Sequence, residues 1–335
     1  MLVVSGKNVN HVFENALWAF KARVDDGSLV PEETRNGPAY SMDQPMALVY
    51  ERPTERVLFS KLRDANPFFH FMESLWMLAG RNDVAFVKQF NSRIDQYSDE
   101  GTVLHGAYGH RWRNHFGADQ LLWVIAHLKK QPNSRRAVLT MWDPDVDCSQ
   151  AGGGKDVPCN MQIVFRINGA RLDMVVYNRS NDLIWGACGA NAVHLSYVHE
   201  FVACALYLPV GTYTQVSANM HIYLSTPNAH ELLSAPPNED IYRGLHTPPM
   251  FTDSELEFSS PEHLLRKIQQ FCDTPYGRTD VNLLDFVANP MWRAWEAKNE
   301  GDYESALVYC NKIASPDWSE VCHSWMQRRM LAKHG

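Results

Sequence analysis

Pro158-Cys159 stands directly ahead of an apolar run, Met161 to Ile167, and further along an arginine, a serine and an aspartate cluster as Arg179, Ser180 and Asp182. These types suit one kind of chemistry. A thiolate is a nucleophile, a guanidinium fork and a hydroxyl suit a phosphate, and positive charge beside a thiol raises its thiolate fraction. Met161 to Ile167 and Arg171 to Tyr177 are β-rich runs, and Asn168-Gly169 supplies the positive φ of a tight hairpin turn. Such a hairpin returns Arg179 to the strand end where Cys159 sits. A lone cysteine after proline is also a common buried packing residue, so both readings stand on these residues alone.

Other segments carry further candidates. Asn66 to Gly80 reads as an apolar helix ended by Gly80, with Glu73 alone among Phe69, Met72, Leu75 and Trp76. A carboxylate in that company should have a raised pKa, or else it lies on the helix's one solvated stripe. Arg135 and Arg136 precede a strand, Ala137 to Trp142, and are either a phosphate clamp or a surface basic pair. Gly186 to Asn191 reads as a glycine-rich turn into a buried helix, Ala192 to Leu208. Gly211 to Leu224 reads as β structure with His221 and Tyr223 on one face, since strand period is two.

The remaining elements position these groups. Val12, Phe13, Ala16, Leu17 and Phe20 recur at helical spacing between Val9 and Val24, and Met46 to Glu51 reads as a strand. Between them a loop carries Arg35 beside an Asn36-Gly37 turn. The polar stretch from Asp143 to Asp156 reads as a flexible loop, and its glycines do not form a Walker phosphate loop. Pro227 to Pro261 is proline-rich and polar, the best boundary between a core (1–226) and an extension (227–335) that turns mostly helical after about residue 261.

Composition narrows the function classes. A chain of 335 residues with 45% hydrophobic content can bury a sizeable core. Seven cysteines without Cys-x-x-Cys spacing argue for reduced thiols and against a zinc site or disulfide framework. A net charge of −7 argues against duplex DNA as partner. The opening run is too short for a signal peptide, and no run approaches the roughly 18 apolar residues of a membrane span. A cytoplasmic protein acting on a small molecule is the expectation.

The order Pro-Cys, hairpin, Arg-Ser-x-Asp, glycine, asparagine resembles the active-site core of the thymidylate synthase family, over roughly residues 30 to 225. It looks closest to the phage-type pyrimidine hydroxymethylase branch. The resemblance implies an α/β (α+β) fold with a large mixed sheet packed by helices, followed here by a C-terminal helical appendage. It implies a homodimer whose phosphate sites are shared, with Arg135 and Arg136 reaching the partner's site and Arg35 closing on the phosphate. Cys159 would be the nucleophile, Glu73 would organise water and protons, and Tyr108, in the His105 to Arg113 element, would line the cleft. Arg179 and Ser180 would hold a deoxypyrimidine monophosphate, Asn191 would read its base, and His221 and Tyr223 would meet the sugar. Asp182 and Gly186 would serve 5,10-methylenetetrahydrofolate as one-carbon donor.

Departures from the family pattern set the expected product. Ile94 stands where synthases carry a tryptophan that covers the reactive intermediate, so more room is left for water. The final segment, MQRRMLAKHG, does not match the synthases' apolar tail. Both favour a hydroxymethyl product, with dUMP as the expected substrate and dCMP hydroxymethylation, thymidylate synthesis and a non-catalytic nucleotide- or RNA-binding relative as successive alternatives. Asn160 replaces the usual histidine, and Cys188-Gly189-Ala190 lengthens the turn by one residue, which leaves the register of Asn191 open. If phage-encoded, the chain would act in the host cytoplasm.

Overall fold

The computed structural model describes residues 1–148, 154–236, 240–245, 247–252 and 260–334. The glycine stretch before Gly154 and part of the proline-rich stretch after Pro227 lie outside them. The described residues group into two compact units interleaved along the chain. One draws on Met1–Ala65, Trp123–Gly152 and Val157–Asp240, the other on Asn66–Leu122, Gly153–Asp156 and Ile241–Gly335.

The first unit is built on strands β1 (Leu2–Gly6), β2 (Ala39–Ser41), β3 (Met46–Tyr50), β4 (Val138–Thr140), β5 (Asn160–Asn168), β6 (Arg171–Asn178), β7 (Asn181–Asp182), β8 (Val210–Ser217) and β9 (Met220–Tyr223). Six of them form a mixed sheet in the order β1-β3-β8-β6-β5-β4, and β2-β9-β7 form a second, smaller one. Alternation makes the larger sheet one-sided: Ile163 and Phe165 on β5 and Leu172, Met174 and Val176 on β6 are buried, while the residues between them are more exposed. The β5–β6 hairpin pairs Asn168 with Arg171, so its two-residue loop is Gly169-Ala170, one residue later than the Asn-Gly reading places it. Gly169 carries the required positive φ of 61°. The run from Gly211 to Leu224 breaks at Ala218-Asn219, which sends β9 into the second sheet.

Two helices pack on this sheet. Val9–Asp25 buries Val9, Val12, Phe13, Ala16, Leu17 and Phe20, and its first N–H groups are capped by the Asn8 side chain, which accepts from Asn10 N at 3.1 Å and His11 N at 3.2 Å. Asn191–Ala205 is buried at every position. The stretch before it is not a loose turn: Leu183–Ala190 forms a wide π-helical turn that runs directly into the helix. Its glycine at 186 answers crowding rather than a need for positive φ, since a Cβ there would stand 2.6 Å from Asn181 Oδ1.

The buried helix carries polar groups that must be satisfied inside. Glu200 pairs with Arg56, whose guanidinium lies 4.1 Å from the centroid of the Tyr197 ring. His199 donates from Nε2 to Leu172 O at 2.6 Å.

In the second unit, helix Pro67–Leu78 begins with Asn66 accepting from Phe68 N at 3.1 Å and Phe69 N at 3.2 Å, and with proline in its first turn. Gly80, at φ 72°, ends it. Its orphan carbonyls are then met from the Tyr108–His115 segment: Arg113 donates to Leu78 O and Asn114 to Gly80 O, at 2.8 and 2.7 Å. Gly109 lies so close that a Cβ would stand 2.0 Å from Met77 O. The chain after residue 260 adds helices Pro261–Asp273, Asn289–Glu300, Tyr303–Cys310 and Pro316–His334, with a π-helical turn at Leu283–Ala288. Their indoles pack on the first helix of the unit. Phe68 meets Trp295 and Trp325 at 5.5 and 5.7 Å, and Phe71 meets Trp318 at 5.2 Å.

Burial holds the His199 imidazole down at about 4, from 6.5. Its folded pKa is below its unfolded one, so its contribution to stability is fully present above about pH 6.5. That contribution is lost as pH falls through about 4, and amounts to roughly 3 kcal/mol. Urea unfolding between pH 7.5 and 4.5 should show His199→Gln, which keeps a donor for Leu172 O, losing stability less steeply than the wild type. Equal slopes would remove His199 as a source of acid sensitivity.

Candidate active site

Cys159 lies half-buried just ahead of β5, and Arg179 just past β6, so the hairpin brings them together as its register requires. The main chain closes the pair: Arg179 N donates to Cys159 O at 3.0 Å. The guanidinium then donates from Nε to Pro158 O and from Nη2 to Val157 O, both at 2.9 Å, and its Nη2 stands 3.7 Å from Cys159 Sγ. Thus one planar cation holds the thiol's loop and touches its sulfur. The β5–β6 pairing shifts register between Asn160 and Gln162, a bulge that re-aims the chain beside the thiol. Ser180 follows, half-buried.

The second sheet gathers another group of predicted residues. β7 delivers Asp182, whose carboxylate caps the following turn by accepting from Trp185 N and also accepts from Tyr223 N at 3.5 Å. β9 delivers His221 and Tyr223 on one face, their rings 4.6 Å apart. The Arg35 turn is moored here too, because β2 pairs with β9 and Asn36 Nδ2 donates to the Tyr223 hydroxyl at 3.2 Å. Burial pushes the Asp182 carboxyl above its ordinary value, against the Trp185 N–H, the neighbouring imidazole and Arg63. Burial likewise lowers His221, against the attraction of Asp182.

Behind these residues runs a buried chain of amides that the sequence reading missed. Asn160 Nδ2 donates to Asn191 Oδ1 at 3.2 Å, and Asn191 Nδ2 to Asn181 Oδ1 at 3.1 Å. Asn181 Nδ2 continues to Gln215 Oε1 at 3.0 Å and Ser217 Oγ at 3.3 Å. Gln215 Nε2 ends the chain on Ala187 O at 2.7 Å and the Tyr50 hydroxyl at 3.0 Å. Gln215 and Ser217 occupy the buried face of β8, where period two would put apolar residues; that mismatch was the available signal. Asn191 is therefore held by its neighbours in one orientation and is 7% exposed.

Arg63 was also missed. Its Nε donates to Ile184 O at 3.0 Å, its guanidinium lies 4.2 Å from the centroid of the exposed Trp185 ring, and burial lowers its pKa to about 10. Asp182 and Gly186 flank this exposed indole in sequence and supply a carboxylate acceptor beside an aromatic ring. Those groups fit a planar heterocycle with ring N–H donors, such as a pterin. Arg135 and Arg136 are exposed just ahead of β4, the edge strand of the larger sheet. Among the described residues no group of three or more His, Cys, Asp or Glu is arranged to hold a metal, and no helix is long and apolar enough to cross a membrane.

The second unit holds Glu73, Tyr108 and Ile94. Glu73 is the one residue from Pro67 to Leu78 that is not fully buried. Tyr108 opens the segment fixed to that helix through Gly109 and Arg113, and Ile94, itself half-buried, opens a 3₁₀ turn, Ile94–Tyr97. Asp156, unremarked in the sequence, accepts from Gly106 N at 2.8 Å, and burial raises its carboxyl above its ordinary value.

Residues 62–248 match the family model described as thymidylate synthase. The chain belongs to the thymidylate synthase family. Over 348 aligned positions it is 43% identical to the deoxyuridylate hydroxymethyltransferase of Pseudomonas phage M6, spanning 99% of this chain and 95% of that relative. The deoxyuridylate hydroxymethyltransferase of Bacillus phage SP01 is 39% identical over 191 residues, which is 54% of this chain and 50% of that one. The fold agrees: the crystal structure of thymidylate synthase from T4 phage superposes with a TM-score of 0.58 at 21% identity, covering 75% of this chain and 91% of that chain.

The Arg179 contact predicts a reactivity difference. Arg179→Ala should slow alkylation of Cys159 by iodoacetamide at pH 7 by about tenfold, because the sulfur loses the guanidinium that stands 3.7 Å from it. Exposed Cys148 should react unchanged and serves as the internal reference. Peptide mass spectrometry reads both sites, and equal Cys159 rates would remove Arg179 from thiol activation.

Proposed function

We propose that this chain hydroxymethylates carbon 5 of deoxyuridine monophosphate, giving 5-hydroxymethyl-dUMP. The observation that carries the reading is the donation of Arg179 to Cys159 Sγ at 3.7 Å, in a chain that aligns over nearly its whole length with a relative named for this transfer. When bound, methylenetetrahydrofolate supplies a one-carbon unit at the oxidation level of formaldehyde. Cys159 adds to carbon 6 of the pyrimidine, forming a C–S bond and moving the ring electrons onto carbon 5, which becomes the nucleophile.

Arg179 stabilises the thiolate and, with Ser180, holds the phosphate, which Arg35 also approaches. Asn191 orients the base through an amide that is both donor and acceptor, and His221 with Tyr223 contacts the sugar hydroxyl. Asp182 and Gly186 receive the pterin. Glu73 orders water and moves protons, with Tyr108 as a polar partner, and Ile94 leaves room for the water that takes the place of a hydride. Carbon 5 bonds the one-carbon unit and gives up its proton as the folate nitrogen departs, water adds to the transferred carbon, and elimination of the Cys159 thiolate then restores the ring. Arg135 and Arg136 complete the phosphate site of a second copy in a homodimer, which places the exposed edge at β4 against a partner. The chain after 227 is an extension to a catalytic core, and the enzyme acts in the cytoplasm, that of the host if it is phage-encoded.

Incubation with methylenetetrahydrofolate and equal dUMP and dCMP, followed by mass analysis, should give a hydroxymethyl group on uracil only. A methyl product would overturn the role of Ile94, and a cytosine adduct would overturn the choice of base. Loss of all product in Cys159→Ser is expected, and full activity in that variant would sink the covalent route. Mixing inactive Cys159→Ser with inactive Arg135→Ala/Arg136→Ala should restore activity through hybrid dimers. No recovery on mixing would refute the shared phosphate site.

A further inference from the structure

The amide chain behind Asn191 has a direction, and the direction is fixed at one end. Ala187 O is a main-chain carbonyl and can only accept. It receives Gln215 Nε2 at 2.7 Å and the Tyr50 hydroxyl at 2.8 Å. Burial keeps that phenol protonated, so it donates to Ala187 O and accepts from the other N–H of Gln215. Both hydrogens of the Gln215 amide are thereby committed. Gln215 Oε1 must then face Asn181 Nδ2, Asn181 Oδ1 must face Asn191 Nδ2, and Asn191 Oδ1 must face Asn160.

Reversing Asn191 would set its oxygen against Asn181 Oδ1. Turning Asn181 as well would set oxygen against Gln215 Oε1, and turning Gln215 would set oxygen against Ala187 O at 2.7 Å. Every route leaves two buried acceptors in contact. The far end offers no such resistance: Asn160 Oδ1 is buried with no partner among the described residues, so Asn160 follows the orientation of Asn191 and does not set it.

We propose that Gln215 and Asn181 are positioning residues that lock the Asn191 amide in one polarity, so that the site accepts a pyrimidine edge offering N–H beside C=O and rejects one offering bare N beside NH2. The chain uses one N–H and one lone pair of Asn191, which leaves it one donor and one acceptor in fixed order. A uracil edge needs that pair in one order and a cytosine edge needs it reversed. A freely turning asparagine would serve both, whereas a locked one serves a single order, which the proposed function makes that of uracil. The inference rests on the reading that Asn191 meets the base, and it goes further by assigning the discrimination to residues outside substrate contact.

Isothermal titration of the full-length protein with dUMP and with dCMP tests it, circular dichroism confirming that each variant is folded. The wild type should bind dUMP the more tightly. Gln215→Met removes the anchor while keeping the volume, and the ratio of the two dissociation constants should fall by about tenfold, chiefly through tighter dCMP. Asn181→Leu breaks the same relay one step nearer and should do likewise, and it serves as the test if Gln215→Met does not fold. Ser217→Ala removes a hydroxyl that can donate or accept, so the ratio should stay as in the wild type. Wild-type ratios in both Gln215→Met and Asn181→Leu, with the ratio lost in Asn191→Ala, would overturn the lock and leave Asn191 as base reader. An unchanged ratio and affinity in Asn191→Ala would overturn the base reading, and the lock with it. Preference of the wild type for dCMP would overturn the assigned polarity.

Discussion

A buried amide must find partners or cost about 1–3 kcal/mol, and the first unit is organised around meeting that demand. Asn160, Asn178, Asn181 and Asn191 lie with Gln215 and Ser217 between β5, β6, β8 and the helix that starts at Asn191. Such a set specifies its surroundings more tightly than an apolar core does. An aliphatic side chain tolerates a small shift, but a hydrogen bond of 3.0 Å between Asn181 and Gln215 does not. The glycine at 186 follows from the same demand, since a side chain there would collide with Asn181 Oδ1.

Arg179 shows the economy of this arrangement. Its guanidinium closes the loop before β5 by binding two main-chain carbonyls, and the geometry of that closure brings a third donor direction to the sulfur. Holding the loop and charging the thiol's surroundings are one act of the side chain. Lysine, a point charge without a planar fork, could not do both.

Much of this was legible in the residues, and the reasons differ. The thiol–arginine pair could be read because a short hairpin is local: two β-rich runs and one glycine determine which strand ends meet. Helix Pro67–Leu78 was legible because Asn66-Pro67 and Gly80 mark its two ends chemically. The amide chain was not, because asparagine and glutamine in a strand read by habit as the wet face, although the alternation of β8 puts Gln215 and Ser217 on the same buried face as Tyr213. Gly186 to Ala190 was misread as a turn because a glycine signals either positive φ or close approach, and the residues alone do not say which. The helices after residue 261 were legible as helices, but nothing local to them names the surface that receives Trp295, Trp318 and Trp325.

That surface has a consequence for how the chain is made. The helix holding Glu73 has few apolar partners near it in sequence: Phe68 and Phe71 wait for Trp295, Trp318 and Trp325, and the hydrogen bond from Trp295 to Gln89 spans 206 residues. Contacts of such separation form late and slowly. During synthesis the first unit can close once β9 has left the ribosome, while the helix of Glu73 stays without its indole packing until the last segment emerges. A nascent chain would thus present the paired arginine and thiol well before it acquired the stable support for Glu73, and truncation near the C-terminus would unsettle a residue encoded in the first quarter of the gene.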